Sequence, residues 1–183
     1  MSIPIPGRPE DSEYAPYGKI YVERVEDSDL LRALTSQIND TEAVLTPLED
    51  TFAASYRYEP DKWTIKQIVG HMIDTERIFA YRILRVSRGD QTPLPAFEQN
   101  DYVTAEDFNS RSVSDLLDEL KAVRQSTIRL VRRLNHDAWL RRGTVSGYSV
   151  TARGIAFMMA GHELHHKRII REKYLKQSAA LAR

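Results

Sequence analysis

Three of the chain's five histidines fall within five residues, in Gly161-His162-Glu163-Leu164-His165-His166, and a fourth, His71, lies far upstream. His162 and His166 are four apart, so on a helix they share one face, a turn apart. Two imidazoles in that register plus a distant third make a three-nitrogen metal site with coordination positions left open, as a catalytic ion requires. Such a divalent cation brings the pKa of a bound water to about 7, or holds an incoming thiol as thiolate. The sulfur for that second chemistry must come from outside, as a low-molecular-weight thiol, because the chain has no cysteine. Imidazole suits zinc, nickel, copper and iron alike, so ligand type does not choose the metal. The His-Glu-x-x-His order of zinc proteases is absent.

The apolar pattern around these residues says where they sit. On a helical wheel at about 100° per residue, Ile155, Met158, Met159, Ile169 and Ile170 define the buried stripe of a last helix. His162 and His166 fall within about 20° of Ile155, where the pattern calls for an apolar side chain. His165 lies about 80° to one side and is a weaker candidate, suited to a supporting position. Glu163 projects about 100° from His162 and reads as outward. A neutral imidazole carries one donor and one acceptor, both costly to bury unpaired. A metal answers for one nitrogen of each ring; the other needs a carboxylate or carbonyl acceptor. Asp74, three residues after His71, and Glu76, on the apolar stripe of the same helix, are the candidates for that supporting role, with Arg77 and Arg82 as possible partners of Glu76. The plainer reading of any one core histidine is a hydrogen-bonded packing residue, and it stands beside the metal reading. No catalytic base is assigned. Arg77, Arg82 and Arg153 either anchor an anionic substrate or pair with carboxylates. Trp63, Tyr58 and Tyr148 either line a pocket mouth or pack.

Four long helices must carry these groups. The first opens near Ser28 as N-cap, followed by Asp29, and runs to Thr46-Pro47, where a short second helix reaches about Ala54. Thr64-Ile65-Lys66-Gln67 is a capping box, and Gly89 is a stop for the helix it opens. Ser112 starts a third long helix with Leu116, Leu117, Leu120, Val123, Thr127 and Leu130 turned inward. Asn135 to Leu140 forms one turn, Arg142 to Val150 reads as a loop, and Thr151 or Ser149 caps a last helix running to about Lys176. Residues 90–111 show no sustained period, and twenty-odd extended residues can recross the length of a helix. The expectation is an all-α four-helix bundle with a long crossover between the second and third long helices. An extended arm occupies residues 1–27 and packs on the body or on a partner; the bundle occupies residues 28–178.

Composition narrows the function. Lys plus Arg and Asp plus Glu each number 26, so the formal net charge is zero. Nucleic-acid binders usually carry a basic excess, so no nucleic-acid partner is expected. The run Arg129, Arg132, Arg133, Arg141 and Arg142 reads as a solvated face. The N-terminus lacks the apolar run of a signal peptide, and no stretch approaches the ~20 apolar residues needed to cross a bilayer. With no cysteine, the expectation is a cytoplasmic protein that engages no membrane.

The sequence resembles the DinB-like, or YfiT-like, family of metal-dependent bacterial proteins over most of its length. The matching segments are Arg8-Pro9 to Tyr17, Trp63-Thr64 through Gly70-His71-Met72-Ile73-Asp74-Thr75-Glu76-Arg77, Gly89-Asp90 to Pro95, and Gly161-His162-Glu163-Leu164-His165-His166. The resemblance implies a bundle with a crossover and one divalent metal, zinc or nickel, on His71, His162 and His166. It also implies a homodimer and a small-molecule substrate. Relatives with assigned activities transfer small thiols or isomerise substrates with a thiol cofactor. The expected function is therefore that of a metal-dependent thiol transferase or hydrolase. The alternative is a non-catalytic helical module whose histidines hold a structural ion or merely pack.

Overall fold

The computed structural model describes residues 7–49 and 51–175. Its helices are α1 (Lys19–Val22), α2 (Leu30–Leu45), α3 (Phe52–Ser55), α4 (Ile65–Ser87), α5 (Gln99–Ala105), α6 (Val113–Val131), α7 (His136–Leu140) and α8 (Ala152–Ile169), with a π-helical continuation over Ile170–Leu175. Each long helix starts on a side-chain cap. Asp29, Thr64, Ser112 and Thr151 accept from the backbone N–H of Arg32, Gln67, Asp115 and Gly154 respectively. Such a cap satisfies one orphan donor and contributes ~1 kcal/mol. Gln67 returns the bond to the Thr64 backbone, as the capping-box pattern predicts. Gly89, at φ +81°, ends α4 in the left-handed region. The expected helix end near Lys176 and the first six residues of the arm lie outside the described residues.

Side-chain contacts fix the direction of each helix. The Thr64 hydroxyl bonds Asn109 just ahead of α6, and Arg77 meets Glu119 further along, so α4 and α6 run parallel. Glu49 accepts from the N–H groups of Val113 and Ser114, while Leu34 accepts from Arg124, so α2 opposes α6. His71 near the start of α4 meets His166 near the end of α8, so α8 opposes α4. Parallel α4 and α6 need the long return that the sequence suggested. This crossover is partly ordered by α5 and by a 3₁₀ turn at Phe108–Ser110. Phe108 lies flat against Gly70 of α4, where any Cβ would overlap its ring.

Two sequence expectations differ from the structure. The stretch expected as a loop is a hairpin, β1 (Arg142–Val145) against antiparallel β2 (Tyr148–Thr151). Ser146 and Gly147 both have positive φ, 52° and 84°, which matches the twist of a two-residue hairpin turn. Four-residue strands with only two apolar positions on the buried side leave little periodic signal. Leu94 of the crossover pairs with Val145, donating to Thr144 O and accepting from Ser146 N, so hairpin and crossover form one wall. The described residues ahead of α2 do not form an extended arm. They coil through short turns at Asp11–Glu13, Pro16–Gly18 and α1, and lie along α8.

The core is divided in two. One apolar cluster gathers Leu30, Leu34, Phe79, Ile83, Trp139, Ile155 and Phe157; the other gathers Leu45, Ile65, Ile73, Leu116, Leu120, Ile170 and Tyr174. Between them lies a layer of buried polar groups that includes Gln37, Thr41, Glu76, Arg124, Glu163 and the three histidines His71, His162 and His166. Arg124, 1 % exposed, is its centre. Its Nε and Nη2 donate to the two oxygens of Glu76 at 2.8 Å each, Nη2 donates to Glu163 at 2.6 Å, and Nη1 donates to the Leu34 carbonyl at 2.9 Å. Glu163 also accepts from the Thr41 hydroxyl. Burial alone would lower the guanidinium pKa; the facing carboxylates of Glu163 and Glu76 outweigh it and hold Arg124 above its usual range.

Candidate metal centre

α4 and α8 bring His71, His162 and His166 to one point. All three are buried, and one ligand-capable atom from each lies within 4.8 Å of the others. His71 Nε2 stands 2.9 Å from His162 Nε2, and His166 Nε2 stands 3.0 Å from that same His162 atom. A neutral ring nitrogen carries either one proton or one lone pair. His162 Nε2 can therefore complete only one of its two contacts, as donor or as acceptor, in any tautomer. A divalent cation accepts all three lone pairs at once, and three imidazole nitrogens are a donor set it takes readily. The residues fit such an ion.

Their surroundings assign the remaining residues. The Thr75 hydroxyl stands 3.4 Å from His71 Nδ1, and His166 Nδ1 has no partner among the described residues. The Trp63 ring leans on His71 at 4.8 Å. Asp74, a candidate acceptor, lies 3.6 Å from Arg77, and Glu76 binds Arg124 with both oxygens. His165 is half-buried with its ring edge-on to Tyr21 at 5.4 Å. Glu163, read as outward, is buried in the polar layer, because α8 is packed on that side too and only Leu164 and His165 are half-buried at that turn. Arg77 pairs with Glu119, and Arg153 pairs with Glu13.

Two cavities reach the histidines. One, of about 430 Å³, is lined by His71, His162, Thr75, Phe79, Arg82 and the Tyr148 of β2, among others. The second, of about 270 Å³, is lined by His166, Trp63, Tyr58 and Tyr174. Gln99 of α5 borders both. The first volume lies within the range of small-molecule sites.

The sequence profile of the DinB superfamily matches residues 29–170. The chain belongs to the DinB superfamily. Two solved structures share its fold. YfiT from Bacillus subtilis, described as a probable metal-dependent hydrolase with an unusual four-helix bundle topology, superposes with a TM-score of 0.68 at 17 % identity over 93 % of each chain. A mycothiol-dependent maleylpyruvate isomerase superposes with a TM-score of 0.62 at 14 % identity, over 75 % of this chain and 58 % of that one. No curated protein matches the sequence significantly.

In this DinB-superfamily chain, burial also sets the protonation state of the histidines. Desolvation pulls His71 down to about 4. It pulls His162 and His166 well below the ordinary imidazole value, with repulsion from the neighbouring histidines adding to it. Neutral imidazole is the ligand form. In metal-free protein the unfolded chain takes up these protons at about 6.5 while the folded one resists. Stability is therefore complete above that value and is lost as the pH falls toward 4. Roughly 3 kcal/mol of loss is expected from His71 alone. Denaturant titrations of metal-free protein at pH 7 and pH 5 check this; equal stabilities would contradict three buried neutral rings.

Gly161, beside the first of the paired histidines, has a mechanical role. A Cβ there would overlap the Tyr21 carbonyl, and one at Gly154 would overlap that of Glu13. The α1 segment thus lies directly on the α8 backbone and brings Tyr21 to the cavity wall. In an open helix face, Gly161→Ala would stabilise by ~1 kcal/mol through helix propensity. Here it is expected to destabilise by about 1–3 kcal/mol through overpacking. The sign of the change in a denaturant titration decides between the two.

Proposed function

We propose that the protein is a metal-dependent enzyme acting on a small molecule, with His71, His162 and His166 as the ligands of one zinc or nickel ion. The observation that carries this reading is the convergence of three buried ring nitrogens beside a cavity of small-molecule size. A structural ion would favour a closed site with a carboxylate as fourth ligand. Among the described residues the ligand-capable group contains histidines alone, and the nearby Glu76 is fully engaged by Arg124.

The bound ion would supply Lewis acidity, activating a water or a thiol at neutral pH. The chain's own residues would do the rest. Burial keeps the three imidazoles neutral, and Thr75 orients the His71 ring. Trp63 packs against that ring and Phe79 lies edge-on to His162, which keeps bulk water from that side. Two cavities approaching the histidines from different elements suit a two-substrate reaction, so transfer to or from an external thiol is placed ahead of hydrolysis. The fold is shared with a probable hydrolase and with a thiol-dependent isomerase, so it is compatible with either chemistry. We extend the proposal to a cytoplasmic homodimer, on the cysteine-free composition and the family resemblance. No helix among the described residues is long and apolar enough to cross a membrane.

Elemental analysis of untagged protein tests the reading first, followed by turnover of electrophiles with and without added thiol. Stoichiometric zinc or nickel with thiol-dependent turnover is the expected result. Protein that carries no metal, and whose melting ignores added zinc and nickel, would end it. Bound metal with thiol-independent turnover would shift the assignment to hydrolysis.

A further inference from the structure

Among the described residues two arginines are buried, and they are handled in opposite ways. Arg124 faces two carboxylates. Arg82, 4 % exposed, faces none. Its Nη2 donates to the Pro95 carbonyl at 2.7 Å and to the Ser146 hydroxyl at 3.3 Å, both neutral. Nε and Nη1 make no hydrogen bond among the described residues. The rings of Phe79 and Phe97 flank the guanidinium at 5.8 and 5.6 Å from its carbon. Desolvation pulls its pKa down, the mark of a buried charge without a counter-ion. A buried charge of this kind is costly unless it is paired. Yet it sits at the wall of the cavity that His71 and His162 share.

We propose that Arg82 anchors the carboxylate of a small aromatic or apolar substrate whose other end lies at His71 and His162. Arg82 and His71 stand on one face of α4, eleven residues apart, His162 faces the same cavity from α8, and Phe79 bridges the two ends. Its ring lies 5.8 Å from the Arg82 guanidinium carbon and 6.2 Å from the His162 ring. A bound molecule would run along that ring, charge at one end and reacting group at the other. The single positive charge argues for a monoanion. Among the described residues no lysine and no other arginine lines this cavity, whereas a phosphate dianion is ordinarily met by several donors or charges. The Nε and Nη1 donors that remain can each meet a carboxylate oxygen with a charge-assisted bond, and the aromatic walls match an apolar body. Glu98, the one carboxylate among the described lining residues, is exposed and caps α5 through Oε1, which accepts from the Asn100 backbone and side-chain amides. The inference deepens the enzyme reading above and rests on it for the reacting end only.

The test is binding of 3-phenylpropionate against its neutral amide, followed by calorimetry, to wild type, Arg82→Met and Arg82→Lys. Each is measured after chelator treatment and after zinc loading. Wild type is expected to prefer the carboxylate by about tenfold or more, the value of a charge-assisted hydrogen bond. Arg82→Met should abolish that preference and leave amide binding unchanged, with Arg82→Lys intermediate. Because binding is read in chelated protein too, an arginine-dependent preference supports the anchor even where no metal effect is found. Equal affinity for acid and amide, or binding of neither, overturns the proposal. So does a preference that survives Arg82→Met, or one that disappears with zinc whatever residue stands at 82. Tighter binding of phenyl phosphate than of the carboxylate overturns the substrate class. Should Arg82→Met fail to fold, the wild-type acid–amide comparison and Arg82→Lys decide the matter alone.

Discussion

Arg124→Met is expected to lower stability by about 3–5 kcal/mol, the usual cost of removing one partner from a buried ion pair. Against a total of about 5–15 kcal/mol for a domain, that is enough to leave much of the chain unfolded. The loss comes chiefly from what is left behind. Glu76 and Glu163, each with a side chain 4 % exposed, would face one another with no cation, and the Leu34 carbonyl would lose its side-chain donor. Neutralising both carboxylates in the same chain, as Glu76→Gln and Glu163→Gln, should therefore recover a large share of the loss. Denaturant midpoints of the single and triple variants measure this. A loss below about 1 kcal/mol for Arg124→Met, the range of an exposed pair, would show that the group is solvated.

The other large effect is expected at His162, whose Nε2 lies within 3.0 Å of both partner nitrogens. His162→Leu should weaken zinc or nickel binding by about a hundredfold or more, taking roughly a third of the ~10 kcal/mol that three or four such ligands provide. Wild type is expected to gain about 4 kcal/mol of stability at a metal concentration a thousand times its Kd, and the variant to gain about 1.4 kcal/mol or less under the same conditions. In metal-free protein the substitution should cost little at pH 7. It should stabilise at pH 5, because it removes a buried ring that resists protonation. His165→Leu, at a ring that the metal-capable group does not include, should leave metal binding nearly unchanged. Calorimetric titration with zinc and melting curves at the two pH values separate these outcomes. A His162→Leu protein that binds metal as tightly as wild type would remove the three-histidine assignment.

The histidines were legible because they break a pattern. Apolar residues recur along α8, and His162 and His166 stand where another was due. The helix starts were equally readable, since Thr64, Ser112 and Thr151 are local signals that depend on three or four residues. Arg124 carries the same kind of signal. Leu117, Leu120, Arg124, Thr127 and Val131 are spaced by three and four, and all are buried on α6. A cation in that row signals a buried acid elsewhere, but the row does not say on which helix. Glu76 is anomalous on its apolar stripe, and the arginines on its own helix are the candidates that local spacing offers; the true partner is 48 residues away. The wheel misplaced Glu163 because an angle measured from one face assumes an opposite face in water. The hairpin escaped because four-residue strands give periodicity too little length to act on.

The division of the core by a polar layer bears on how the bundle keeps its alignment. Arg124 reaches α2 at Leu34, α4 at Glu76 and α8 at Glu163 from its place on α6. A slide of any one helix by a turn, about 5.4 Å, would carry a charge into an apolar half and open a void in the other. Longitudinal registration is thus dictated halfway up the barrel of helices, and the connections at either end need only reach. Insertions and deletions in those connections can accumulate over evolution while the spacing of the three imidazoles stays constant.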